Sequence, residues 1–220
     1  MKHLIGKKLV YRHDHRLFDS FWPLLQLLGG MSVSQSHTTL GRVVDDSVEG
    51  IQGIFYSSHF KTVCKLPLNR VVEYTCRDAV PYSIEFTVEL LHRDMRSALQ
   101  KDGRSPDNQA SRLNDLCAAI VFVNFFERYR KLIEATWGDQ SEKWPRVFNF
   151  ARVIRNAAAH SGRIYFDRAI TYNVRWRGLV YAYAHNHHQV IGRDLYAADL
   201  IYLMIDMARQ LDAKKALIIR

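Results

Sequence analysis

At 220 residues and 48% hydrophobic, the chain is long enough for one large core or two small ones, and its composition is that of ordinary soluble globular proteins. Thirty-one basic against 22 acidic side chains give a formal charge of +9, spread along the sequence instead of gathered in a tail, so the surface attracts polyanions. Three cysteines without C-x-x-C spacing, an N-terminus with no apolar secretion core, and a longest apolar stretch of only Leu116 to Phe126 argue against secretion and membrane spanning, and a cytoplasmic protein is expected.

From Asp14 to Leu28, the residues Leu17, Phe18, Phe21, Trp22, Leu25 and Leu28 recur at helical spacing until Gly29-Gly30 breaks the pattern. Leu40, Val43, Val44, Ser47, Ile51, Ile54 and Phe55 predict a second, long helix that Thr38 or Thr39 caps. A short helix is expected between Pro67 and Cys76. Ile84, Val88, Leu91 and Met95 predict another from Pro81, and a polar loop follows over Lys101 to Asn108. The segment Arg112 to Trp137 is apolar on nearly every side and reads as a central buried helix that Gly138 ends.

The next helix spans about 144–160, with Val147, Phe150, Ala151, Ile154, Ala157 and Ala158 on its core face and Gly162 placed to terminate it. The period then changes to two. Ile170, Tyr172, Val174 and Trp176 alternate with Thr171, Asn173, Arg175 and Arg177, which predicts a small hairpin within about 169–191. A final helix is expected over about 194–213. The whole is an all-α expectation: one helical domain over 1–220, with a β-hairpin between its last two helices and no internal repeats.

Arg155-Asn156-Ala157-Ala158-Ala159-His160 is the segment with chemical content. A bare R-x4-H arises about once by chance in this composition, but requiring Asn after the Arg lowers the expectation to roughly 0.03–0.04. Asn156 and His160, four apart, share a helix face, and the long Arg155 side chain reaches toward them. The last turn of a helix favours an imidazolium. RNA carries its own nucleophile in the 2'-hydroxyl, so its cleavage needs a proton acceptor, a proton donor and a cation on the phosphate. An imidazole and a guanidinium are suitable types, and neither a metal nor a cofactor is called for. The bland alternative is that Arg155 and His160 only complement the helix C-terminus.

R-N-x-x-x-H at the end of a helix late in a helical chain resembles the HEPN superfamily of RNases, toxins and abortive-infection proteins, with the closest local match from about Phe148 to Gly162. The resemblance implies a HEPN-like helical bundle and a metal-independent endoribonuclease, a toxin or antiviral effector, with Arg155 and His160 as the catalytic pair and Asn156 orienting them. It also implies a homodimer along the motif helices, whose two-fold axis brings a second His160 to the phosphate. Trp144, Phe148 and Tyr165 would line that interface. The tyrosine through which some members are controlled has no clean counterpart in Ser161-Gly162-Arg163-Ile164-Tyr165, so an antitoxin or regulatory partner is left unassigned. A non-catalytic HEPN-like module that binds RNA or protein is the competing reading.

Arg152 and Arg163 flank the motif, and Arg175 and Arg177 interleave with Tyr172, Trp176 and Tyr181, so these four arginines are candidate RNA contacts, although a buried Trp176 is the commoner outcome of this pattern. His185-Asn186-His187-His188 lacks a carboxylate or cysteine to complete a metal site and reads as a polar turn. His13-Asp14-His15 reads as an exposed helix cap.

Overall fold

The structure, a computed structural model, describes residues 5–27, 52–57, 59–67, 71, 73–75, 77, 79–90, 109–170 and 172–218. The fold is mixed α/β, not all-α. Where one domain over 1–220 is expected, the chain divides into two compact units, Met1–Ser105 and Pro106–Arg220.

The first unit is a four-stranded antiparallel sheet of β1 (Lys8–Arg12), β2 (Gln52–Ser57), β3 (Thr62–Pro67) and β4 (Ser83–Leu90) in the order β1-β4-β3-β2. Tyr11 lies opposite Ile84, and Cys64 lies opposite both Phe55 and Val88. A helix, α1, over 18–27 covers the sheet with Phe18, Phe21, Trp22, Leu24 and Leu25. His15 Nδ1 accepts the Leu17 N–H just ahead of it. Phe21 meets Phe86 edge-on at 5.0 Å, and Tyr11 closes the cluster 5.9 Å from Phe86. Cys64 is fully enclosed, and burial pushes its thiol up to about 12.

Two of the expected helices are strands here. Ile84 and Val88 are four apart, a spacing that keeps two residues on one face of a strand as well as of a helix. Phe86 between them decides the matter: Ile84, Phe86 and Val88 are buried while Glu85, Thr87 and Glu89 are not, a period of two. Ile54 and Phe55 likewise stand in β2, paired to Lys65 and Cys64. The remainder of that expected helix, the Gly29-Gly30 breaker, the loop Lys101 to Asn108, and Leu91 and Met95 lie outside the described residues.

The second unit contains α2 (Gln109–Trp137), α3 (Arg146–Ala159), the hairpin β5 (Val174–Trp176) and β6 (Leu179–Tyr181), and α4 (Ala197–Ile218). The helix that fills its core is α4. Leu200, Ile201, Tyr202, Leu203, Met204, Ile205, Met207 and Ala208 are all buried, whereas α2 keeps Leu113, Leu116, Ile120 and Leu132 exposed. A carboxylate ties the two together: Asp115 of α2, itself buried, accepts the Ala197 N–H at 2.7 Å and caps α4 from outside its own sequence neighbourhood. Asp199 adds a local cap by accepting the Tyr196 N–H at 2.9 Å.

At the hairpin tip Arg177 and Gly178 both have positive φ, +46° and +93°, as a two-residue turn matched to strand twist requires. Arginine is an unusual occupant of such a position, and its fork explains the choice. Arg177 Nε and Nη2 grip Asp206 of α4 at 2.5 and 2.6 Å, and Trp176 Nε1 donates to the same carboxylate at 2.9 Å.

Candidate functional site

The motif helix α3 buries Phe148, Phe150, Ala151, Val153, Ile154 and Ala157, which leaves Arg152, Arg155 and Asn156 half-buried and ends with Ala159 and His160 exposed. It stops because His160 leaves the helical region at φ −115°, ψ 46°, with its N–H donating to Ala157 O at 2.9 Å. Ser161 and Gly162 then turn through the left-handed region at φ +56° and +78°. Gly162 is required twice over, since a Cβ there would stand 2.6 Å from Gln189 Nε2 and 3.1 Å from Ile191 O.

This reversal lays the next residues along the returning loop 185–191. Ile164 N donates to His188 O at 2.9 Å, and His187 N donates to Ile164 O at 2.8 Å. Tyr165 is thereby set against the motif. Its ring stacks on the His160 imidazole with centroids 4.4 Å apart and 28° between planes, and its other neighbour is the His187 ring at 6.1 Å, edge-on. Arg163 Nη1 donates to His187 O at 3.2 Å. His160, Arg163, Tyr165 and His187 are all exposed, so two imidazoles, a phenol and a guanidinium share one accessible surface.

Arg155 is held differently. Its Nε donates to Glu127 Oε1 of α2 at 2.5 Å, and Nη1 donates to Asn156 Oδ1 at 3.3 Å. Both members of the Arg155–Glu127 pair remain about one-third exposed. The site thus offers a fixed guanidinium, an amide that aligns it, and an open imidazole at the same helix end.

Comparisons with protein-family models, curated proteins and solved structures found no match.

The other expected contacts are placed as follows. Arg152 Nη2 reaches Tyr172 Oη at 3.4 Å, and its Nε is buried without a hydrogen-bond partner among the described residues, as is Asn149 Oδ1 one turn earlier. Arg175 is exposed in the middle of β5, opposite Val180. Arg177 is committed to Asp206 and so serves the hairpin. Trp144 and Phe148 are buried within their own protomer and cannot line a dimer face, whereas Tyr165 is 41% exposed.

Tyr165, expected at a dimer face beside the motif, instead stacks on His160, and Glu127 and His187 join the site with no expectation from the sequence. Glu127 comes from another helix, and His187 arrives through a loop after the hairpin, so neither has a signal at fixed spacing from the motif. Within the histidine run His185 and His188 lie 6.1 Å apart and share Tyr181 as a ring neighbour, whereas His187 meets Tyr165. His185 Nδ1 accepts the Ala182 N–H at 3.1 Å, His187 faces Tyr165, and His188 Nε2 lies 2.7 Å from Asp194 Oδ2. Asp194 also accepts the Tyr181 O–H at 2.9 Å; burial first, and then this carboxylate, push the phenol above its ordinary range. Among the described residues no group of three or more His, Cys, Asp or Glu is placed to hold a metal. Among the same residues no helix is long and apolar enough to cross a membrane.

Proposed function

We infer that the Pro106–Arg220 unit is an endoribonuclease that cuts RNA through attack by its 2'-hydroxyl, in the manner implied by the HEPN-type motif, and that it serves as a toxin or antiviral effector. The observation that carries this reading is the open His160 imidazole, stacked on Tyr165, at the end of the helix that presents the Arg155–Asn156 pair. In the reaction an imidazole takes the 2'-hydroxyl proton and the oxygen attacks phosphorus. The bond to the 5'-oxygen breaks as that oxygen receives a proton, and the guanidinium of Arg155 binds the non-bridging oxygens as charge builds. Tyr165 gives a base a face to stack on, and Arg163 adds a phosphate contact.

The test is to incubate the purified chain, in substoichiometric amount, with total RNA and tRNA in excess EDTA. Fragments ending in 2',3'-cyclic phosphate are expected, with DNA resistant and His160→Ala inactive. Strict dependence on added divalent ion, or cleavage of DNA, would point to another mechanism.

A second reading, a non-catalytic RNA- or protein-binding module, is favoured by one observation: Glu127 already neutralises part of the Arg155 charge. RNA binding without fragments at any enzyme concentration would select it.

A further inference from the structure

The mechanism above needs two proton-transfer groups, and the motif supplies one. The HEPN resemblance would fill the gap with a second His160 from a dimer partner. The fold offers a nearer source.

His187 meets the Tyr165 ring edge-on at 6.1 Å, and His160 stacks on the same ring at 4.4 Å. The two imidazoles can be no further apart than these two separations laid end to end, a span on the scale of one phosphodiester and its flanking sugars. Both are exposed. The placement of His187 is also unusually fixed. Its backbone sits in the left-handed region at φ +66°, which histidine enters more readily than most side chains but which surrounding bonds still have to hold. Four bonds maintain it: His187 N to Ile164 O, Ile164 N to His188 O, Arg163 Nη1 to His187 O, and His188 Nε2 to Asp194. The first three engage the main chain of His187 or His188 and the fourth the His188 side chain, which leaves the His187 ring to face Tyr165. A loop pinned at these points, with its imidazole exposed and set on the same Tyr165 ring as the motif histidine, holds that ring in place.

We propose that His187 is the second proton-transfer residue of the site, acting in the same chain as His160. This rests on the ribonuclease reading. One of the two imidazoles removes the proton from the 2'-hydroxyl as the new oxygen–phosphorus bond forms. The other delivers a proton to the 5'-oxygen as its bond to phosphorus breaks, so each ring ends with the charge the other began with. No second protomer is needed for either transfer.

The test uses two substitutions that suit a left-handed backbone and cannot exchange protons, His187→Asn and His187→Gly. Each should keep the thermal stability of the parent, because the strain falls or is better tolerated. Each should nonetheless lower kcat on RNA by at least about 100-fold with KM within about threefold, the loss typical of a missing general acid or base. A dinucleotide-like substrate with an aryl oxide leaving group, which needs no protonation, then separates the roles. Of the His160→Ala and His187→Asn variants, one alone should recover its rate on it.

Wild-type rates in both His187 variants, with His160→Ala dead, would overturn the proposal and leave the ribonuclease reading intact. Recovery of both variants, or of neither, would overturn the division of roles between the two rings. An unmodified chain that cuts no RNA would overturn the ribonuclease reading itself and this inference with it.

Discussion

Arg155 on the motif helix and Glu127 on α2 meet at 2.5 Å through Nε and Oε1, so the cation of the site is aimed by a residue 28 positions away in sequence. A partly exposed pair of this kind contributes roughly 0.2–1 kcal/mol to stability, too little for the fold to depend on it. Arg155→Ala should therefore lower the melting temperature by only a few degrees while reducing RNA cleavage at least about 100-fold. Arg155→Lys should fail to restore it, because an ammonium lacks the rigid planar fork that spans Glu127, Asn156 and a phosphate. Glu127→Ala should cost about tenfold in kcat by freeing the guanidinium, and Asn156→Ala less than Arg155→Ala. Initial rates against RNA concentration measure all four, and full activity in Arg155→Ala would defeat the assignment.

Gly162 separates a structural from a chemical failure. With φ at +78°, Gln189 Nε2 having to move aside and Ile191 O only 3.1 Å from where a Cβ would stand, Gly162→Ala should destabilise the unit by about 1–3 kcal/mol. Because the same turn sets Tyr165 against His160, activity should fall even at temperatures where the variant remains folded. Urea unfolding and RNA cleavage read the two effects, and an unchanged midpoint would show that the turn tolerates a side chain.

Asp115 gives the unit a pH dependence. Burial raises its carboxyl to about 7, against the opposing hydrogen bond from Ala197, while the unfolded group titrates near 3.8. Between these values the folded state holds a proton that the unfolded state has lost. Stability should therefore decline as pH rises from about 4 to about 7, by up to roughly 4 kcal/mol from this group alone. Asp115→Asn keeps an acceptor for the Ala197 N–H and removes the titration. The variant should show a flat profile in that window and be about 1–3 kcal/mol more stable than the parent at pH 8. Denaturant unfolding at a series of pH values checks it, and identical slopes in both proteins would refute it.

The HEPN resemblance implies a two-fold dimer, which we expect by sedimentation at micromolar concentration, with Ala159→Cys, exposed beside His160, forming a disulfide across the axis. Since Trp144 and Phe148 are buried in their own protomer, the apolar contribution has to come from exposed residues such as Tyr165. A monomer at all concentrations would remove the dimer.

The sequence revealed this molecule unevenly, for physical reasons. In the second unit, long helices repeat their period over several turns, so α2, α3 and α4 are visible from apolar spacing alone, and the hairpin between the last two shows in the period-two alternation of Val174 and Trp176 with Arg175 and Arg177. In the first unit the strands are short, and a four-residue interval such as Ile84 to Val88 suits either period. The alternation of Ile84, Phe86 and Val88 with Glu85 and Thr87 was the available signal. At the site, Arg155, Asn156, His160 and the terminating Gly162 are local and legible. Tyr165 and His187 become neighbours only because the chain turns at Gly162 and returns along the 185–191 loop, a tertiary event with no periodic trace. Arg177 looked like an RNA contact because charge beside an aromatic is the common pattern, while its partner, Asp206, sits a whole element away.

The core-filling role of α4 also sets an order of events. A ribosome makes α2 and α3 first; they meet each other through Trp137 and Phe148, but the apolar surface that receives α4 stays open until Leu200 to Leu211 emerge. The Asp115 cap likewise waits for Ala197. Contacts that join the first helix of the unit to its last are slow to form, because the intervening loop must close before they compensate its entropy. Nascent chains halted before Leu200 should be digested readily across α2 and α3, and should resist only once α4 has been added. In this unit, the turn that carries His160 is translated early and acquires its rigid frame late, so any activity of the site is deferred until synthesis of α4 is complete.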